Sequence, residues 1–297
     1  MRGVAGRKQT AAFHIVVCAG HSVSYGLTPH PGQFPADDTA MLGKLLSRLI
    51  ATKPRPAVPP GTRVYAIGDI HGRSDLLDVL LERIRRDDAA RPAAETHLVF
   101  LGDLIDRGPD SRGVVERVMA LRDSRERIHL LKGNHEEVFL QTLDGDAATM
   151  RLFARIGGRE TLASYGIGDE EFDNGSYGEL VARAALKVPA SHRRFLAAAE
   201  DCLVLGDYLF VHAGVRPEVE LDAQVAKDLR WIRGEFLDFE GELNKVVVHG
   251  HSVADEVQER PHRIGIDTGA FRTGTLTALA LEGAERWFLQ ARLEAVA

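Results

Sequence analysis

Short apolar runs that end in glycine and an imidazole, amide or carboxylate recur along the sequence, and this recurrence constrains the fold more than any other feature. The runs are "VYAI" (64–67), "LVFL" (98–101), "IHLL" (128–131), "YLFV" (208–211) and "VVV" (246–248). Each is strand-length, rich in Val, Ile, Leu and aromatics, and too short for a helix. Helical patterns lie between them, among them "RSDLLDVLLERIRR" (73–86), with Ser74 placed to cap it, and "RGVVERVMALRD" (112–123). Strands alternating with helices predict an α/β domain whose central strands are covered on both faces.

The chain departs from this alternation in two places. Residues 137–200 read as mainly helical, a cap inserted over one edge of the α/β domain of residues 62–297. Residues 1–61 read as a disordered or loosely attached extension. Within it "MLGKLLSRLI" (41–50) is an amphipathic helix candidate, and "ATKPRPAVPPGT" (51–62) is a stiff linker with Pro54, Pro56, Pro59 and Pro60.

Composition removes several classes of function. The 297 residues are 44% hydrophobic and 27% charged, the balance of an ordinary globular protein. A net charge of −6 and the lack of a basic stripe argue against nucleic acid as a partner. No apolar run approaches the roughly 18 residues that span a bilayer, so no membrane role is expected. Cys18 and Cys202 make no disulfide framework, which fits a cytoplasmic protein. The basic start and short apolar stretch before Gly20 resemble a poor signal peptide: His14 interrupts the stretch and no Ala-x-Ala cleavage site follows.

The chemistry lies just after each run. "GDIHG" brings Asp69 and His71, and "GDLIDRG" brings Asp103, Asp106 and Arg107. "GNHE" brings Asn134, His135 and Glu136, "VHAG" brings His212, and "VHGHS" brings His249 and His251. Any one Gly-Asp after a strand is most simply a turn, and a lone histidine there is most simply a packed side chain. Together they are a ligand set, because strands of an α/β sheet deliver their ends to one edge. Hard oxygens mixed with imidazole, without thiolate, suit Mn²⁺, Fe or Zn²⁺. Six such ligands are too many for one ion with an open position and about right for two sharing a carboxylate. Two ions about 3.5–4 Å apart are the usual apparatus for in-line displacement at phosphorus. Arg107 then offers a guanidinium fork for phosphate oxygens.

"GDIHG", "GDLIDRG" and "GNHE", followed by "HAG" and "GHS", resemble the signature of the phosphoprotein phosphatase family of calcineurin-like metallophosphoesterases over roughly residues 62–290. "WIRGEF" and "IDTGAFRTGTLT" are similar to its bacterial and phage branch. The resemblance implies a sandwich of two central mixed β-sheets flanked by helices. It implies that Asp69 and His71 hold one metal, that Asp103 bridges, and that Asn134, His212 and His251 hold the second, with His249 as the alternative. The metals would be manganese by preference. His135 would protonate the leaving oxygen with Asp106 orienting it, and Arg107, Arg233 and Asn134 would hold the phosphate. The activity implied is phosphomonoester hydrolysis by metal-bound hydroxide on phosphoserine, phosphothreonine or phosphotyrosine of a protein or peptide, with small phosphoesters also accepted. Symmetrical hydrolysis of diadenosine tetraphosphate, or of another nucleotide, is the alternative on the same metals. Glu136 reads as structural, Asp267 as a turn carboxylate, and Arg73 as a solvated arginine of a first helical turn.

Overall fold

The computed structural model describes residues 55–124, 127–145 and 147–293. The readings made for residues 1–54, including the helix candidate, the first part of the linker and Cys18, lie outside these residues.

Along the chain come β1 (Thr62–Ile67), α1 (Ser74–Ala89), β2 (Glu95–Phe100), α2 (Ser111–Ser124) and β3 (Ile128–Leu130). Six helices follow without a strand: α3 (Asn134–Leu143), α4 (Ala147–Ile156), α5 (Gly158–Ser164), α6 (Asp169–Asn174), α7 (Tyr177–Lys187) and α8 (Ala190–Ala197). Then come β4 (Cys202–Leu205), β5 (Tyr208–Val211), α9 (Ala226–Trp231), α10 (Gly234–Leu237), β6 (Val246–His249), β7 (Gln258–Arg260) and β8 (Arg263–Gly265). The described chain closes with α11 (Ala270–Thr273), β9 (Thr275–Glu282) and β10 (Glu285–Arg292).

Two mixed five-stranded sheets result, ordered β10-β9-β1-β2-β3 and β4-β5-β6-β8-β7. The strands β1, β2 and β3 are parallel, as are β5, β6 and β8, while the outer pairings are antiparallel. The period-2 alternation of a strand decides the layers. Val64 and Ala66 of β1 face a middle core with Phe210 of β5 and Val248 of β6. Tyr65 and Ile67, the alternate residues, face the helices around Leu76, Leu80 and Val114. On the far side Leu209, Val211 and Val247 pack on Leu229, Ile232 and Phe236. Because both faces of each sheet are covered, the central strands read as continuous apolar runs.

The fold corrects the sequence reading in local detail. Ser74 does not cap α1: it is already the first helical residue, and Arg73 holds the cap position without a side-chain bond. The ordered domain also begins before β1. Val58 is buried, with its N–H donating to Gly283 O at 3.0 Å, and Ala57 and Asp207 bond each other in both directions. The end of the proline-rich linker is thus fastened to both sheets. The β9–β10 hairpin completes the first sheet, its apolar run "LTALAL" (276–281) lying outside the five runs read as strands.

The region from α3 to α8 is helical, as its sequence reads. Its Phe139, Phe153, Leu162 and Leu196 share one apolar cluster with Leu76 and Val114 of the first helix layer. Among the described residues no helix is long and apolar enough to cross a membrane.

Candidate active site

Parallel pairing brings the carboxyl ends of β1, β2 and β3 to one edge, and those of β5 and β6 meet them from the second sheet. Two hydrogen bonds stitch the sheets there. His251 N–H donates to Asp69 Oδ2 at 3.0 Å, and His212 Nδ1 donates to Leu101 O at 2.8 Å. The turns are tight: a Cβ on Gly250 would overlap Asp69 Oδ1, and one on Gly133 would overlap Asp103 Oδ1. Among the described residues six non-glycine residues have left-handed backbone, and five of them are His71, Asp103, Asp106, Arg107 and His251. Such strain costs about 1–3 kcal/mol each and persists where surrounding structure over-determines it.

Two groups of buried side chains bring their ligand atoms within 4.8 Å of one another: His71, Asp103 and His135, and Asp103, His212 and His251. Asp103 belongs to both. Asn134 enters the second group, its Oδ1 lying 3.0 Å from His212 Nε2 and 2.8 Å from His251 Nδ1. Asp69 is buried beside them with Oδ1 unpartnered. His249 is elsewhere: it packs edge-on to Phe236, and its Nδ1 donates to Gly250 O.

The donor set fits divalent cations. His212 Nδ1 must carry a hydrogen, since a carbonyl oxygen only accepts. His212 so fixed turns Nε2 to Asn134 Oδ1 at 3.0 Å and Asp103 Oδ1 at 3.4 Å; burial opposes a charge on the ring, but Asp103 outweighs it and raises its pKa. His71 is likewise held by Nδ1 donating to Ile105 O at 2.8 Å, its Nε2 facing Asp103 Oδ2 at 3.7 Å and the Arg107 guanidinium at 3.0 Å. Fixing one ring nitrogen on a backbone carbonyl is how proteins orient a ligating imidazole. Unpartnered buried atoms gather here too: Asp69 Oδ1, His251 Nε2 and Asp267 Oδ2. Burial, then the charges of Asp267 and Asp103, pushes the Asp69 carboxyl well above its ordinary range. A cation between these carboxylates removes that penalty.

Around this core sit the groups for proton transfer. His135 Nδ1 meets Asp106 Oδ2 at 2.6 Å, and Asp106 Oδ1 accepts from Thr161 at 2.6 Å. The Asp106 N–H faces the hydroxyls of Ser111 and Thr161, both at 2.9 Å. Burial opposes a charge on His135, but Asp103 and Asp106 outweigh it and raise its pKa. Glu136 works on the backbone instead, accepting from the N–H groups of Asp103, Leu104 and Gly133 at 2.8–3.0 Å. Burial, then Asp103, pushes its pKa up to about 7.

The arginines divide. Arg107 lies over the Phe271 ring with its guanidinium 3.0 Å from both His71 Nε2 and His135 Nε2. Arg233 is exposed, with only Ser252 Oγ at 3.5 Å. Arg230 is committed to Glu137 and Asp201. Arg73 is paired with Asp75 and donates to Ala270 O.

Sequence reasoning missed three contributors. Ser111, five residues after Asp106, turns back to it from the start of α2, and Thr161 reaches it through the packing of α5 on α2. Asp267 makes its turn bond to the Gly269 N–H at 3.0 Å, yet its second oxygen is buried without a partner and adds to the Asp69–Asp103 charge cluster. Its place at the end of a strand beside β6 was the available signal.

Fold and site together describe a double β-sheet whose strand ends gather two candidate metal-binding groups around Asp103. The chain belongs to the calcineurin-like phosphoesterase family, whose model matches residues 62–272. It is 29% identical over 231 residues to a symmetrical bis(5'-nucleosyl)-tetraphosphatase of Ralstonia nicotianae, covering 75% of this chain and 64% of that one. A protein of the same name from Janthinobacterium is 42% identical over 72 residues, 24% of this chain and 23% of that one. The matched stretch thus spans between about a quarter and two thirds of these relatives. A crystal structure of a protein provisionally named a diadenosine tetraphosphatase shares the fold, with TM-score 0.56 and 21% identity over 82% of this chain and all of that one.

Proposed function

We propose that this chain hydrolyses dinucleoside tetraphosphates symmetrically, the alternative raised by its sequence, rather than phosphoproteins. The observation that carries the reading is the similarity to a symmetrical bis(5'-nucleosyl)-tetraphosphatase across three quarters of the chain. Asp69, His71 and Asp103 would hold one divalent ion, and Asp103, Asn134, His212 and His251 the other, manganese being preferred. When bound, such a pair polarises phosphoryl oxygens and makes water acidic enough to react near neutral pH.

The protein's own groups do the rest. Arg107 and Arg233 grip phosphate oxygens as guanidinium forks. Asp106, locked by Ser111 and Thr161, holds His135 by Nδ1 and leaves Nε2 to give its proton to the departing oxygen. Water adds at one inner phosphorus, the central P–O–P bond breaks, and both products are nucleoside diphosphates.

The test is product release by manganese-loaded protein from diadenosine tetraphosphate, phosphoserine/phosphothreonine peptides and phosphotyrosine peptides, side by side. Preference for the dinucleotide with ADP as the sole product is expected. Preference for either peptide class returns the protein to the phosphatase reading.

A further inference from the structure

Beside the metal-binding groups lies a recess of about 290 Å³ whose wall includes Lys227, Trp231 and Arg233. Two of these residues tie it to the site. The Trp231 ring stands 6.4 Å from the His251 ring, centroid to centroid, and its indole N–H is held by Glu137 of α3 at 2.6 Å. Arg233 reaches the Oγ of Ser252, the residue after His251, at 3.5 Å.

The charges of the recess are unevenly satisfied. Asp228 and Glu235 are both engaged by Arg216. Among the described residues no carboxylate pairs with Lys227 or Arg233, the remaining cations of the wall. Both are exposed on α9 and on the turn that follows it. Lys227 and Arg233 thus share one recess as exposed cations without an ion-paired carboxylate among the described residues, while the half-buried Arg107 faces His71 and His135.

We infer that this recess binds the phosphate chain of the substrate beyond the phosphorus under attack, with Lys227 as a specificity-determining residue for a second phosphate. This rests on the nucleotide reading and gives it a structural selector. A phosphopeptide carries one dianion and then a neutral backbone, which gives two further cations nothing to neutralise. A polyphosphate carries charge on every unit, so each unpaired cation along its course gains a partner. Lys227 suits this use because an ammonium on a flexible stem follows a moving anion without demanding bidentate geometry.

AMP and ADP isolate the effect, since they differ by one phosphate. Calorimetry with manganese in constant excess should show wild-type protein binding ADP about tenfold or more tighter than AMP, equivalent to about 1.4 kcal/mol. In Lys227→Gln that ratio should collapse toward one, and Lys227→Arg should restore most of it. Lys227 is exposed, so neither substitution disturbs packing. A ratio in Lys227→Gln equal to that of wild type overturns the inference. So does wild-type protein that binds the two nucleotides equally. Failure of the parent reading looks different: protein that separates ADP from AMP but leaves diadenosine tetraphosphate intact keeps the recess and loses the proposed reaction.

Discussion

Strand β1 carries a buried charge near each end, and the two are treated in opposite ways. Arg63, at its start, is 1% exposed and fully engaged: Asp88 at 2.7 Å, Glu282 at 3.0 Å and the Pro92 carbonyl at 2.7 Å. Asp69, just past its end, is 2% exposed and accepts one backbone hydrogen bond, with Oδ1 left bare. Burying a charge is costly unless it is paired. The first end meets that cost with its own side chains, and the second leaves it to be met by something that binds. The difference separates a charge that holds the fold from one that awaits a ligand, six residues apart in the chain.

Substitutions at the open end should break this comparison most visibly. Asp103→Asn removes the carboxylate common to both ligand groups and should lower turnover by about 10³-fold or more, with manganese binding lost in equilibrium dialysis. His135→Asn should cost about 10²–10⁴-fold on a simple alkyl phosphate. The loss should be smaller on diadenosine tetraphosphate, whose leaving nucleoside diphosphate needs less help from an acid. Equal losses on the two substrates would remove His135 from the role of proton donor.

Asp69→Asn sharpens the contrast from the stability side. It should weaken manganese binding by about 10–100-fold or more while raising the melting temperature of the chelator-treated protein, because an unpaired buried carboxylate disappears. Wild-type protein should melt lower with chelator than with manganese. At the paired end the sign reverses. Arg63→Met should cost about 1–3 kcal/mol in denaturant unfolding, discounted because Asp88 and Glu282 are each about a third exposed. Its metal affinity should stay that of wild type.

The smallest effect belongs to the same end of the first sheet, where His97 and His129 stack with centroids 5.3 Å apart. Burial lowers the pKa of both. The unfolded chain is then the better proton binder below the ordinary histidine pKa of about 6.5, so stability should fall as pH drops through that value. Denaturant midpoints at two pH values should show a smaller fall in His97→Gln than in wild type.

The sequence by itself determined the alternation of strands and helices, the coverage of the central strands and the residues that stand at their ends. It could do so because these are local signals: an apolar run of strand length, a glycine that permits the turn, and a side chain of known chemistry immediately after. The choice between His251 and His249 rested on the family resemblance of "GHS", and it is the packing that turns His249 toward Phe236. Tertiary structure alone decided that Thr161, 55 residues from Asp106 in sequence, locks it in place, and that Arg107 rests on Phe271. It also decided that Lys227 shares a recess with Trp231 and Arg233, with no ion-paired carboxylate among the described residues, and that the Val58 N–H is held by the Gly283 carbonyl. Such contacts join segments far apart in the chain, and neither periodicity nor a motif records which distant side chain will fill a given bond. A chain writes its strand ends locally, whereas the partner of a buried charge exists only once the sheets have closed.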